Sequence, residues 1–175
     1  MSQPTESAVV VNVPVAEPVV GEHRLRLDQA ARWGVPAHVT VLYPFLPPGR
    51  IDGAVLDALR RAVAAVPRFT AVWNRTAWFD QRVLWVAPDL AAPFQALTAA
   101  VVSEFPDYPP FGGQYESVVP HLTVGNGAPL EDLLAAEQQV IPQLPFSMPV
   151  THVQVLAGTS SPGSWRQVAQ IPLGA

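Results

Sequence analysis

Alternating and clustered apolar positions divide the chain into short elements. The β-branched run Ala8 to Val13 predicts a strand. Glu17 to about Ala31 is expected to be helical, with Pro18 in its first turn and Gly34-Val35-Pro36 ending it. His38 to Tyr43 is strand-like and is stopped by Pro44, Pro47 and Pro48. Asp52 is placed to cap a helix whose apolar stripe is Val55, Leu56, Leu59, Val63 and Val66. Phe69 to Phe79 and Val83 to Ala87 are expected to be extended, with a turn at Asp80-Gln81. A helix around Pro93 to Phe105 would present Phe94, Leu97, Val101 and Phe105 on one face. Pro106 to Gln114 reads as loop, Val118 to Val124 as strand and Leu130 to Val140 as helix. Phe146 to Leu156 and Trp165 to Ile171 are expected to be the last strands, joined by the turn Gly158 to Gly163.

This order repeats. His38-x-Thr40-Val41 leads through a Pro-containing turn to a helix, then to Pro67-x-Phe69 and a hairpin. His121-x-Thr123-Val124 leads through Pro129 to a helix, then to Pro145-Phe146 and a hairpin. The His-to-Phe spacing is 31 residues in one half and 25 in the other. A repeat of this kind predicts two similar lobes, each an antiparallel sheet with helices on its outer face, within one α+β sandwich domain spanning residues 1–175.

Composition narrows the function. The 49% hydrophobic content is enough for a core. All ten cationic residues are Arg, against 14 Asp and Glu, for a formal net charge of -4. No basic stripe of the kind that tracks a long polyanion is visible. The absence of Cys excludes disulfides, thiolate metal sites and Cys nucleophiles, and the absence of Lys excludes a P-loop, a Schiff base and a lysine-linked nucleotide. The polar start Met1 to Glu6 and the short run Ala8-Val9-Val10-Val11 fit neither a signal core nor a membrane span, so a cytoplasmic monomer is expected.

Residues i and i+2 of a strand share a face, so His38 projects with Thr40 and His121 with Thr123. With four His and eight Thr in the chain, about 0.2 His-x-Thr matches are expected by chance. Two occur, each shortly after a proline (Pro36, Pro120), each continuing into Val, and each opening the same local order. If the lobes face each other, two imidazoles and two hydroxyls meet in one cleft. One imidazole can act as base while the other acts as acid, and the hydroxyls can donate to phosphate oxygens. No metal or other cofactor is required, and neither His-x-His nor His-Glu-x-x-His occurs. A Gly-x-Ser-x-Gly elbow is also missing.

Pro36-Ala37-His38-Val39-Thr40-Val41-Leu42-Tyr43-Pro44-Phe45 and Pro120-His121-Leu122-Thr123-Val124-Gly125 resemble the paired signatures of the two-histidine phosphoesterase superfamily, in its bacterial 2'-5' RNA ligase-like branch. The resemblance runs from the first strand to Trp165-Arg166 and implies a bilobal, pseudo-twofold α+β sandwich with its active site between the lobes. It places the catalytic positions on His38, Thr40, His121 and Thr123. The implied activities are hydrolysis of a 2',3'-cyclic phosphate to a 2'-phosphate and 2'-5' ligation. The reading from charge favours a small nucleotide or cyclic phosphate as substrate over RNA ends, which remain the alternative together with a non-catalytic module that binds a phosphorylated ligand.

Among the remaining residues, Tyr115 and Phe111, in the loop before the second motif, and Trp165 are candidates to stack on a base. Arg166 is a candidate phosphate partner by its position next to Trp165. Tyr43 and Phe45 fall out of step with His38 and Thr40 and are expected to face the core, while His23 and His152 are read as surface or structural.

Overall fold

A computed structural model describes residues 2–114 and 117–175. Eight strands form two four-stranded antiparallel sheets. The first sheet has the order β2-β1-β7-β8, from β1 (Glu6–Asn12), β2 (His38–Leu42), β7 (His152–Gly158) and β8 (Arg166–Pro172). The second has the order β5-β4-β3-β6, from β3 (Phe69–Phe79), β4 (Val83–Pro88), β5 (Leu122–Asn126) and β6 (Phe146–Val150). The two His-x-Thr segments therefore lead edge strands, β2 and β5, of two corresponding sheets. This is the expected two-lobed α+β architecture.

Alternation along the strands decides which face each sheet buries. Val9 and Val11 of β1, Val39 and Val41 of β2, Leu84 and Val86 of β4, and Leu122 and Val124 of β5 join one continuous core with Leu59, Leu97 and Leu133 of the helices. Full burial of each such side chain stabilises by about 1.5–3 kcal/mol. The helices α1 (Glu17–Leu27), α2 (Gln29–Arg32), α3 (Gly53–Val63), α4 (Ala92–Glu104) and α5 (Leu130–Val140) complete the fold. Asp52 caps α3 as its position predicts, its Oδ1 accepting from the Val55 N–H at 2.9 Å.

The helices brace the lobes crosswise. Leu27 at the end of α1 lies against Gly125 of β5, so close that a Cβ on Gly125 would stand 2.9 Å from the Leu27 Cβ and 2.4 Å from Leu133 Cδ2. Thr98 of α4 donates its hydroxyl to the Val41 carbonyl of β2 at 2.7 Å. Each helix that precedes one His-x-Thr strand thus packs on the other.

Several elements depart from their predicted form. The helix expected over Glu17 to Ala31 breaks at Asp28, which is extended (φ -131°, ψ 114°). Its Oδ1 caps α2 at the Ala30 N–H and its Oδ2 accepts from the buried Arg24 at 3.2 Å, so the side chain competes with helix continuation. Phe146 to Leu156 is not one strand: the chain leaves the second sheet after Val150 and enters the first at His152. The segment before Leu122 is not part of β5, because Pro120 has no N–H to donate to a ladder and the Val119 carbonyl is taken by the His121 ring. Phe45 is buried and meets Phe105 edge-on at 5.1 Å, as expected, but Tyr43 turns to a smaller apolar cluster with Val10, Leu156 and Trp165. Its hydroxyl donates to Glu6 at 2.8 Å, and burial together with this carboxylate pushes its pKa up to about 12. No helix among the described residues is long and apolar enough to cross a membrane.

Candidate active site

Burial of Val39 and Val41 turns His38 and Thr40 to the opposite face of the first sheet, and burial of Leu122 and Val124 does the same for His121 and Thr123 in the second. Across the strands, His38 stands beside Asn12 and Thr40 beside Val10, while Thr123 stands beside Trp85. The two imidazoles are close enough for a charge on His121 to depress the pKa of His38. The edge strands β2 and β5 touch each other, which brings the two His-x-Thr pairs near one another. His121 and Thr123 line a cleft, while His38 and Thr40 line neither that cleft nor the one bordered by Pro36 and Ala37. Neither Thr hydroxyl has a protein partner among the described residues.

Both imidazoles are held in the same way. His38 Nδ1–H donates to the Pro36 carbonyl at 2.7 Å, and His121 Nδ1–H donates to the Val119 carbonyl at 2.7 Å. A carbonyl only accepts, so Nδ1 carries the proton and the neutral ring keeps its lone pair on Nε2. His121 is further fixed by T-shaped packing with Phe79 and Trp85, at centroid distances of 5.0 and 5.9 Å, and these two rings stack on each other at 4.7 Å.

Burial pushes both pKa values down. For His38 the loss of solvation acts with the cation of Arg24 and the other imidazole, against the Pro36 carbonyl, and brings the pKa to about 4. For His121 burial lowers the pKa against the Val119 carbonyl. A phosphate anion between the rings would favour a proton on one of them, which is the asymmetry that acid–base catalysis requires.

A pocket of about 570 Å³ opens beside His121 and Thr123 and is lined also by Phe79, Arg82, Phe111 and Asn126. A second cleft of about 440 Å³ lies on the His38 side and is lined by Asn12, Thr151, His152, Gln154, Gln167 and Gln170, with Pro36 and Ala37 at its border. Phe111 lines the same pocket as His121, and Tyr115 lies outside the described residues.

Trp165 and Arg166 are placed differently from their expected roles. Trp165 is buried against Val10, Val35 and Leu156, with its indole N–H donating to the Thr159 carbonyl at 3.0 Å. Arg166 folds back onto its own turn, donating to the Gly163 and Trp165 carbonyls. Neither lines either cleft. The cation beside His121 is instead Arg82, from the β3–β4 turn. Arg82, Asn126 and Asn12 were not singled out from sequence, because their relevance depends on pairings such as Val83 with Asn126 and Asn12 with His38. His23 is buried in α1 beside Arg26, and His152 Nδ1 meets the Thr151 hydroxyl at 2.8 Å. Among the described residues no group of three His, Cys, Asp or Glu side chains could hold a metal ion.

Comparison with solved structures shows the same fold. The chain is similar to Thermus thermophilus TT0787, with a TM-score of 0.67, 17% identity and coverage of 96% of this chain and 97% of that one. It is similar to E. coli LigT complexed with NADP+ (TM-score 0.60, 18% identity, 99% and 100% coverage). E. coli LigT complexed with 3'-AMP gives a TM-score of 0.60 at 16% identity, with 99% and 100% coverage. No match is found among curated proteins. The family model described as the 2'-5' RNA ligase superfamily matches residues 12–161, which include both His-x-Thr motifs, and the chain accordingly belongs to this superfamily of two-histidine phosphoesterases.

Proposed function

We propose that the chain is a metal-independent phosphoesterase that opens a 2',3'-cyclic phosphodiester on a ribose. The observation that carries this reading is the matched presentation of two imidazoles, each with Nδ1–H tied to the carbonyl two residues before it and each accompanied by an unpartnered Thr hydroxyl. In the proposed reaction one neutral His takes a proton from water through Nε2 as the water oxygen attacks phosphorus. The bond from phosphorus to the ribose 3'-oxygen breaks, and the second His, as imidazolium, gives its Nε2 proton to that oxygen. The product is a 2'-phosphate, and exchange with solvent resets both rings. Each such proton transfer typically contributes about 10²–10⁴-fold. Thr40, Thr123 and the guanidinium of Arg82 would stabilise charge on the non-bridging oxygens. That E. coli LigT is known in complexes with NADP+ and 3'-AMP supports a ligand of nucleotide size.

The superfamily's name favours a second reading, in which a 5'-hydroxyl takes the place of water. Its oxygen attacks phosphorus as one His takes its proton, the bond to the 3'-oxygen breaks with a proton from the other His, and the two ends are joined through a 2'-5' bond. A panel of cyclic phosphates followed by phosphorus NMR separates the two by product. His38→Ala and His121→Ala should each lower turnover by at least about 10²-fold, with His23→Ala and His152→Ala much milder. Full activity in either of the first two variants would remove the proposed site.

A further inference from the structure

We propose that the amide-lined cleft on the His38 side is a nucleobase subsite, in which Asn12, Gln154, Gln167 and Gln170 read the hydrogen-bonding edge of the base. The proposal rests on the reading of the chain as a phosphoesterase acting on nucleotides.

The cleft continues the sheet face that carries the first His-x-Thr pair. Asn12 stands beside His38, and Thr40, Val10, Gln154 and Gln170 form one row across β2, β1, β7 and β8. Neighbouring strands lie about 5 Å apart, so Asn12 is one step from His38 and Gln154 two steps, about 10 Å, from Thr40. With a phosphate held between His38 and His121, a base one sugar away falls over this row.

The lining selects an uncharged polar group. It contains no Arg, its one carboxylate, Glu17, accepts the Ala37 N–H at 2.7 Å, and its one imidazole, His152, is engaged through Nδ1 with the Thr151 hydroxyl, so no guanidinium is there to hold a second phosphate. Its carboxamides are available. The Gln154 Oε1 accepts the Asn12 N–H at 2.8 Å, which fixes the side chain while its amino group has no protein partner among the described residues. The Asn12 Oδ1 is buried without a partner, an acceptor that a ring N–H or exocyclic amine would satisfy. Carboxamides offer a donor beside an acceptor, the pattern that base edges complement. A volume of about 440 Å³ is within the range of small-molecule sites.

The aromatic pocket on the other side is less suited to hold the base. Phe79 and Trp85 stack on each other, which covers one face of each, and both pack steeply against the His121 ring. Trp78 is tied to Glu137 through its indole N–H.

Titration calorimetry of the full chain with adenosine 2'-monophosphate and with inorganic phosphate tests the subsite without requiring turnover. The wild type should bind the nucleotide at least about tenfold more tightly than phosphate. Gln167→Ala/Gln170→Ala, at exposed positions of β8, should weaken nucleotide binding at least about fivefold and leave phosphate binding unchanged. Gln170→Glu, which keeps the shape and removes the N–H donors, should act in the same direction. Phe111→Ala should leave the nucleotide-to-phosphate ratio within about twofold of wild type. The subsite is overturned if the Gln variants leave that ratio unchanged, if Phe111→Ala abolishes it, or if the wild type binds both ligands equally. Failure to hydrolyse any cyclic phosphate would refute the catalytic reading while the binding ratio still decides the subsite. Binding of neither ligand would refute both.

Discussion

Arg24 acts through its charge on only one of the two histidines, His38. Its guanidinium is buried, donates to the Val35 carbonyl at 3.1 Å and pairs with Asp28 at 3.2 Å, one residue from the Pro36 carbonyl that fixes His38. This cation disfavours imidazolium at His38 and has no counterpart among the influences on His121. His38 is then the ring held neutral and so available to take a proton in the proposed reaction, and His121 the ring more easily held as imidazolium to give one. A proton NMR titration should show the His38 ring with the lower midpoint, and Arg24→Met should raise it; equal midpoints in the wild type would remove the distinction. The same substitution leaves Asp28 buried without its partner and should cost about 3–5 kcal/mol in chemical denaturation.

The sign of the His38 shift also fixes a stability trend. Its folded pKa of about 4 lies below its ordinary value of 6.5, so between these values the unfolded chain binds the extra proton. The stabilisation is complete above pH 6.5 and is lost as pH falls toward about 4. Thermal midpoints should drop over that window, and less so in His38→Gln; parallel curves for the two proteins would contradict the shift. The His-x-Thr pairs were legible in the sequence because an i, i+2 relation is local. Arg24 was not, because its influence passes through a loop that brings residues 24, 28 and 35 together only in the fold.

At the scale of elements, the cross-bracing of the lobes sets the positions of β2 and β5. Gly125 is where α1 and α5 meet β5, and its missing side chain is what permits their approach. Gly125→Ala must displace Leu27 or Leu133, at a cost of about 1–3 kcal/mol. Because Thr123 is two residues away on the same strand, turnover should fall as well. Activity falling while the unfolding midpoint stays at the wild-type value would show that Gly125 acts by some route other than packing. Apolar spacing made most elements readable: α3 buries Leu59 and Val63 of its stripe, and α4 buries Phe94, Leu97 and Val101 of its own. The break at Asp28 and the passage of the chain between sheets at Thr151 were not readable. The first depends on the burial of a guanidinium four residues earlier, which is also held by the Val35 carbonyl, and the second on pairing with strands distant in sequence, β3 on one side and β1 on the other. The exchange of helices between lobes has no local signature either, since α1 and α4 look the same whichever sheet they cover.

For the molecule as a whole, folding decides how many of the ten Arg residues are available to a polyanion. Arg24 is buried with Asp28, Arg26 is engaged with His23, and Arg32 wraps the Leu25 and Arg26 carbonyls. Arg50 donates to the Tyr108 hydroxyl, Arg60 and Arg61 pair with Asp57 and Glu104, and Arg166 is folded onto its own turn. Among the described residues, side-chain partners are lacking only for Arg68, Arg75 and Arg82. Arg82 lines the His121 pocket, and alternation along β3 turns Arg75 to the same face as Ala77, which stands beside Trp85. Three free cations can neutralise about three phosphates, for a salt slope of at most about -2 with single-stranded RNA. A 2',3'-cyclic mononucleotide should therefore be hydrolysed at least as efficiently as the same group on a long RNA end. Measured between about 50 and 200 mM salt, kcat/KM for the long substrate should fall by less than about twentyfold, since a slope of -2 corresponds to about sixteenfold. A strong advantage for the long RNA that collapses more steeply with salt would require more cations than these three, gathered into a groove from the arginines now assigned to structural bonds.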